Sequence, residues 1–139
     1  MAYQSKFESN GVYTRYYGRV HANEIEESGG RLRNHPLTVA RIGYCVCDFL
    51  DVEELVITDF EVLMLAARDH QIVDANPGLK IAIVAADARV TAIARIYAGS
   101  PLMRLNARVY DTLDAAYEWV GPTAGRGLQK TGAQGACVA

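Results

Sequence analysis

The chain has 139 residues, half of them apolar, with 14 basic against 16 acidic side chains and a formal net charge of −2. That length supports one substantial core but not two full domains, so one globular domain is expected over residues 1–120, followed by a tail over 121–139. The charges are scattered rather than gathered into the basic stripe that a phosphate backbone requires, which argues against nucleic acid as a partner.

The first ten residues, MAYQSKFESN, carry polar and charged groups where a secretory signal needs a continuous apolar run. No stretch approaches the roughly 18 apolar residues of a membrane span, so a cytoplasmic location is expected. Ala2–Glu8 and Val12–Tyr17 are apolar and aromatic segments joined by Ser9-Asn10-Gly11. The Asn-Gly pair favours the positive φ angles of a tight hairpin, which predicts an antiparallel strand pair. Over His21–Asn34, Ile25, Ser28/Gly29 and Leu32 share one helical stripe, with His21 at the helix start and Pro36 as its stop. Gly29 and Gly30 inside that helix each cost about 1 kcal/mol relative to Ala, which signals a close helix contact or a local break.

Arg41–Asp48 is apolar on both faces, as expected of a central strand covered by helices. An acidic loop holding Asp51, Glu53 and Glu54 is predicted next, and then a helix that opens at Thr58 and runs from Asp59 to about Gln71. Its periodicity places Phe60, Leu63, Met64 and Ala67 inward, with Val62 and Leu65 widening the face. Asn76-Pro77-Gly78 ends that unit, and LKIAIVAA reads as a second buried strand, so the two strands form a βαβ crossover. Val90, Ile93, Ala94 and Tyr97 mark a third helix, broken near Gly99-Ser100-Pro101. Arg108–Tyr110 is a short last strand, and a fourth helix turns Leu113, Ala116, Tyr117 and Val120 inward before Gly121-Pro122. The remainder is rich in glycine and small polar residues without an apolar period, which predicts a flexible tail.

The order β-β-α-β-α-β-α-β-α predicts an α/β fold: a mixed, mostly parallel sheet with helices largely on one face. Three stretches carry a family resemblance: CDFLDVEELVITDFEVLMLAARD, KIAIVAADARVTAIARIYAG and RVYDTLDAAYEWV. Together they resemble the sulfate-transporter and anti-sigma-factor-antagonist (STAS) family, and its small stand-alone bacterial branch in particular. The resemblance implies a non-enzymatic domain that works by binding a protein partner. In such antagonists a Ser or Thr opening the helix after the third strand is phosphorylated by a partner kinase, and the phosphate controls docking. The matching position is Thr58, with Asp59 beside it. Where those antagonists carry an Asp-Ser-Ser-Gly-like motif, this chain has Ile57-Thr58-Asp59-Phe60.

A plainer role competes for the same residues. Thr58-Asp59-Phe60-Glu61 fits the Ser/Thr-x-x-Glu capping box, worth about 1 kcal/mol without any modification. A phosphate there would add about −1.5 to −2 charges, favoured by the helix dipole but opposed by Asp59 and the predicted acidic loop.

Other chemistry finds less support. Asp48, Asp51 and Asp87 fall where α/β proteins gather carboxylates, yet the only lysines are Lys6, Lys80 and Lys130, and Asp87 is placed to cap a helix. Cys45 and Cys47 lie two apart in an apolar strand, a poor geometry for a mutual disulfide and a setting that makes them small hydrophobes. With Cys137 they make three thiols suited to a reducing compartment. His21, His35 and His70 show no ligand spacing, so no metal or other cofactor is expected. Gly125–Thr131 resembles a phosphate loop only superficially, because Gln129 precedes Lys130.

Strand alternation places Tyr13 and Tyr17 on one face and Tyr16 on the other, so one face must show aromatic rings. Left uncovered, such a face suits a homodimer interface. The alternative function is a carrier of an apolar small molecule or lipid, with a pocket under the third helix and the 99–106 segment near the Pro101-Leu102-Met103 break.

Overall fold

The computed structural model describes residues 2–121, and the expected tail beyond Gly121, with the Gly125–Thr131 run and Cys137, lies outside them. The elements are β1 (Tyr3–Phe7), β2 (Gly11–His21), α1 (Ala22–Arg33), α2 (Pro36–Val39), β3 (Tyr44–Val56) and α3 (Asp59–Ala75). They continue with β4 (Lys80–Val84), α4 (Ala88–Gly99), β5 (Ala107–Tyr110) and α5 (Leu113–Val120). The strands form one sheet in the order β1-β2-β3-β4-β5. β1 runs antiparallel to β2 and every later pair is parallel. Because strand order never reverses, crossovers of one hand deliver α1, α3 and α4 to the same face. Among the described residues only α5, which follows the last strand, packs on the other face, against Tyr13, Tyr44, Val46, Ala82 and Val84. This is the mixed α/β fold that the element order predicts.

The hairpin forms, but for a different reason than the Asn-Gly pair suggests. Glu8 N–H donates to the Gly11 carbonyl at 2.8 Å, and Gly11 already belongs to β2. Its φ is not positive; among the described residues only Gly18 has a positive φ, 69°, at a register shift between β2 and β3. What Gly11 supplies is space, since a Cβ there would lie 2.5 Å from the Tyr44 ring. In α1 the helix runs unbroken through Gly29 and Gly30, and the close contact is real: a Cβ on Gly29 would come within 3.2 Å of Asp69 Oδ1 on α3. Pro36 does more than stop that helix, for it opens the one-turn α2 at the position where its missing N–H costs nothing.

Two expectations need correction. Asp51, Glu53 and Glu54 do not form a loop; β3 continues to Val56 because β2 extends to His21 and pairs with it. Val52 and Leu55 of this extension enter the core, while Arg15 meets Asp51 at 2.8 Å and Arg19 meets Glu54 at 3.4 Å across the strands. The second correction concerns α3. Its inward residues are Val62, Leu65, Ala66, Ile72 and Val73, so Ala67 is exposed and Phe60, Leu63 and Met64 are left 71%, 49% and 40% accessible.

Candidate functional site

Thr58 ends the β3–α3 connection in extended backbone and caps α3 with a complete capping box. Its hydroxyl accepts the Glu61 N–H at 3.1 Å and donates to Glu61 Oε1 at 3.1 Å, while its own N–H donates to Glu61 Oε1 at 2.9 Å. Thr58 and Asp59 are both exposed, so the capping hydroxyl is open to solvent. Two residues past the cap begins the uncovered apolar strip of Phe60, Leu63 and Met64. Three large apolar side chains clustered on a short stretch of helix form a patch of the kind that marks a contact surface, unlike single exposed apolar residues.

Beneath α3 the opposite stripe is interrupted by a charge. Asp69 accepts hydrogen bonds from Arg33 Nη1 on α1 at 2.7 Å and from the Tyr97 hydroxyl on α4 at 2.6 Å, so one carboxylate ties three helices together. Arg33 also pairs with Glu26, which Arg68 meets at 3.1 Å. Burial pushes the Asp69 carboxyl above its ordinary pKa, while Tyr97 and Arg33 pull the other way. The network is fully paired and holds the helix layer together.

The fold is similar to that of two solved structures. The anti-sigma factor antagonist SpoIIAA in its unphosphorylated form matches with a TM-score of 0.56 at 10% identity, covering 82% of this chain and 92% of that one. The Bacillus cell fate determinant SpoIIAA in the phosphorylated form matches with a TM-score of 0.57 at 12% identity, covering 86% and 99%. The domain has a STAS-like fold. At this identity the likeness establishes architecture, and function must be argued from the site. No protein-family model matches the sequence, and no curated protein matches it.

Within the STAS-like domain the expected aromatic interface shrinks to one ring. Tyr13 and Tyr16 are 6% and 3% accessible, buried on opposite faces of the sheet under α5 and α1. Tyr17 is half-buried, with the Arg15 guanidinium 4.8 Å from its ring centroid. The carboxylates considered for catalysis are also separated. Asp87 caps α4 by accepting the Arg89 and Val90 N–H groups, and Asp51 is held by Arg15. Asp48 is buried, accepting from the Tyr13 hydroxyl at 2.5 Å and from the Leu50 N–H at 2.9 Å. Burial pushes the Cys47 thiol up to about 12 and the Cys45 thiol well above its usual value, so both stay protonated and poorly nucleophilic at neutral pH. Among the described residues no group of three or more His, Cys, Asp or Glu side chains is arranged to hold a metal, and no helix is long and apolar enough to cross a membrane.

Desolvation raises the Asp48 pKa, with the Tyr13 and Leu50 hydrogen bonds opposing it. An unfolded Asp titrates near 3.9, so between that value and the higher folded one the native state binds more protons than the unfolded state. Asp48's contribution is therefore fully present below about pH 4 and declines as pH rises through the folded pKa. Urea unfolding between pH 4 and 7 is expected to show a smaller stability loss with rising pH in Asp48→Asn than in the parent. An unchanged slope would contradict the assignment.

Proposed function

We propose that this STAS-like domain is a regulatory protein-interaction module, whose partner docks on the Phe60–Leu63–Met64 face of α3 and whose docking is switched by phosphorylation of Thr58. The observation that carries the reading is the position of an exposed capping hydroxyl two residues before an uncovered apolar strip on the same helix. A phosphate at Thr58 would bring about −1.5 to −2 charges against the Glu61 carboxylate that now closes the capping box. The box would open and Glu61 would swing away, placing a dense negative charge at the edge of the apolar strip. Pairing of Asp51 and Glu54 with arginines removes part of the repulsion expected from an acidic loop, so Asp59 and Glu61 become the main opposing charges. The phosphorylated form solved for SpoIIAA belongs to that protein; it motivates the same question here.

Quantitative pulldown from native lysate, with mass spectrometry of the bait, tests the reading. A partner captured by the parent should be lost from Phe60→Asp and from Leu63→Asp by about 2 kcal/mol each, roughly 30-fold, because hot-spot residues at interface centres carry such values. Thr58→Asp should shift capture in the same experiment, and phosphate should be found on Thr58 of the native protein. Equal capture by all variants, with Thr58 unmodified, would defeat the proposal.

A further inference from the structure

Between the sheet and the layer of α1, α3 and α4 lies a cavity of about 110 Å³. Its roof includes Ile25 and Leu32 of α1, Leu65 of α3, and Ile93 and Ala94 of α4. On the sheet side, the stacked rings of Tyr16 and Phe49, 4.4 Å apart, form one wall. Phe49, Cys47 and Tyr97 line this space and are only partly buried. The 99–106 segment, where the sequence places a pocket border, contributes none of the lining; its Met103 is buried in the core while Leu102 and Leu105 are exposed.

The oxygen-bearing side chains at the cavity wall are hydrogen-bonded within the protein. Asp69 is bound by Arg33 and Tyr97, and the Tyr16 hydroxyl is hydrogen-bonded to Ser28, whose own hydroxyl donates to the Ile25 carbonyl at 2.7 Å. Thr14 is paired with Ser5 at 2.9 Å. Water needs two to four polar partners to settle in a cavity, and one lined by apolar groups stays dry. Interiors otherwise pack to crystal-like density, so a void this large leaves its lining without dispersion partners that an apolar guest would restore.

We infer that this cavity is a binding site for a small, neutral, apolar molecule no larger than a six-carbon ring. A charged ligand is disfavoured, since it would lose its hydration inside a mostly apolar wall whose one carboxylate, Asp69, is already paired with Arg33. An apolar cavity of about 150 Å³ accommodates benzene in another protein, so a space of this order is tested with that probe. The site is distinct from the proposed docking face, which lies on the outer side of α3. Ligand binding and partner capture can therefore fail independently.

Titration of methyl-labelled protein with benzene, followed by NMR, reads the site directly. Shifts of the Ile25, Leu65 and Ile93 methyls are expected to saturate in the millimolar range, while exposed Leu37 and Leu105 stay unchanged. Ala94→Leu fills the cavity from α4 and should weaken benzene binding by at least ~10-fold, with cooperative unfolding retained. If that variant does not fold, Cys47→Leu fills the space from the sheet side with the same expected loss. Shifts that fail to saturate, that spread to the exposed methyls, or that persist undiminished in a filled variant would overturn the assignment.

Discussion

Asp69→Ala is expected to destabilise the domain by about 3–5 kcal/mol, the usual cost of removing one member of a buried, hydrogen-bonded charge pair. The side chain of Arg33 is only 10% accessible, so the substitution leaves its guanidinium with the more exposed Glu26 as its remaining carboxylate partner. It also removes the acceptor for the Tyr97 hydroxyl, and so loosens α4 as well as α1. Asp69→Asn, which keeps an acceptor but loses the charge, should fall between Ala and the parent. Urea unfolding of both variants, together with Arg33→Met and the double variant Arg33→Met/Asp69→Ala, gives the coupling energy; contacting residues in one network show about 0.5–3 kcal/mol. A loss below about 1 kcal/mol for Asp69→Ala would mean that the three helices are held by apolar packing alone.

Gly11→Ala is expected to cost about 1–3 kcal/mol, the range for forcing an extra carbon into a filled core. The added Cβ would meet the Tyr44 ring at 2.5 Å and the Tyr44 carbonyl oxygen at 2.6 Å. The ring cannot retreat freely, since Tyr44 is fully buried against Tyr117 of α5 and its hydroxyl is bound to Glu8 at 2.8 Å. Because Tyr117 also donates to Glu8, at 2.9 Å, the strain reaches the contact between the hairpin and α5. Gly99→Ala supplies the control: its Cβ would meet nothing within 4 Å at the end of α4, so thermal unfolding should show no loss and a gain of about 0.5–1 kcal/mol. Equal behaviour of the two variants would show that Gly11 serves chain flexibility rather than space.

The α3 helix shows where sequence reading succeeds and where it misleads. Its start was legible, because a capping box is local chemistry and needs only residues 58 to 61. Its inward face was not. Val62, Leu65, Ala66, Asp69, Ile72 and Val73 follow helical spacing, but an aspartate in the middle makes that stripe look like the wrong one. Phe60, Leu63, Met64 and Ala67 offer a rival stripe with no charge in it. Arg33 and Tyr97, which make Asp69 acceptable in the interior, come from positions 36 residues before and 28 after it. That partnership reverses the helix, and with it the identity of the exposed residues from which the docking proposal is built.

A similar contrast runs through β2 and β3. Continuous apolar runs located the central strands, yet the charged run from Asp51 to Glu54 reads as a loop, since nothing in β3 alone shows that Arg15 and Arg19 lie opposite. Tyr13 and Tyr16 were correctly placed on opposite faces, but whether either face is covered depends on where the helices land.

By itself the sequence determined the order of the strands and of every described helix but the one-turn α2, the mixed sheet with its helices largely on one face, and the cap at Thr58. Each rests on local periodicity, on turn and cap chemistry, or on the consistent hand of crossovers. Only the tertiary structure decided which side of α3 is buried, how far β3 extends, and that a cavity remains under the helix layer. Those outcomes depend on side chains brought together from distant positions, whose pairing and volume no local window contains.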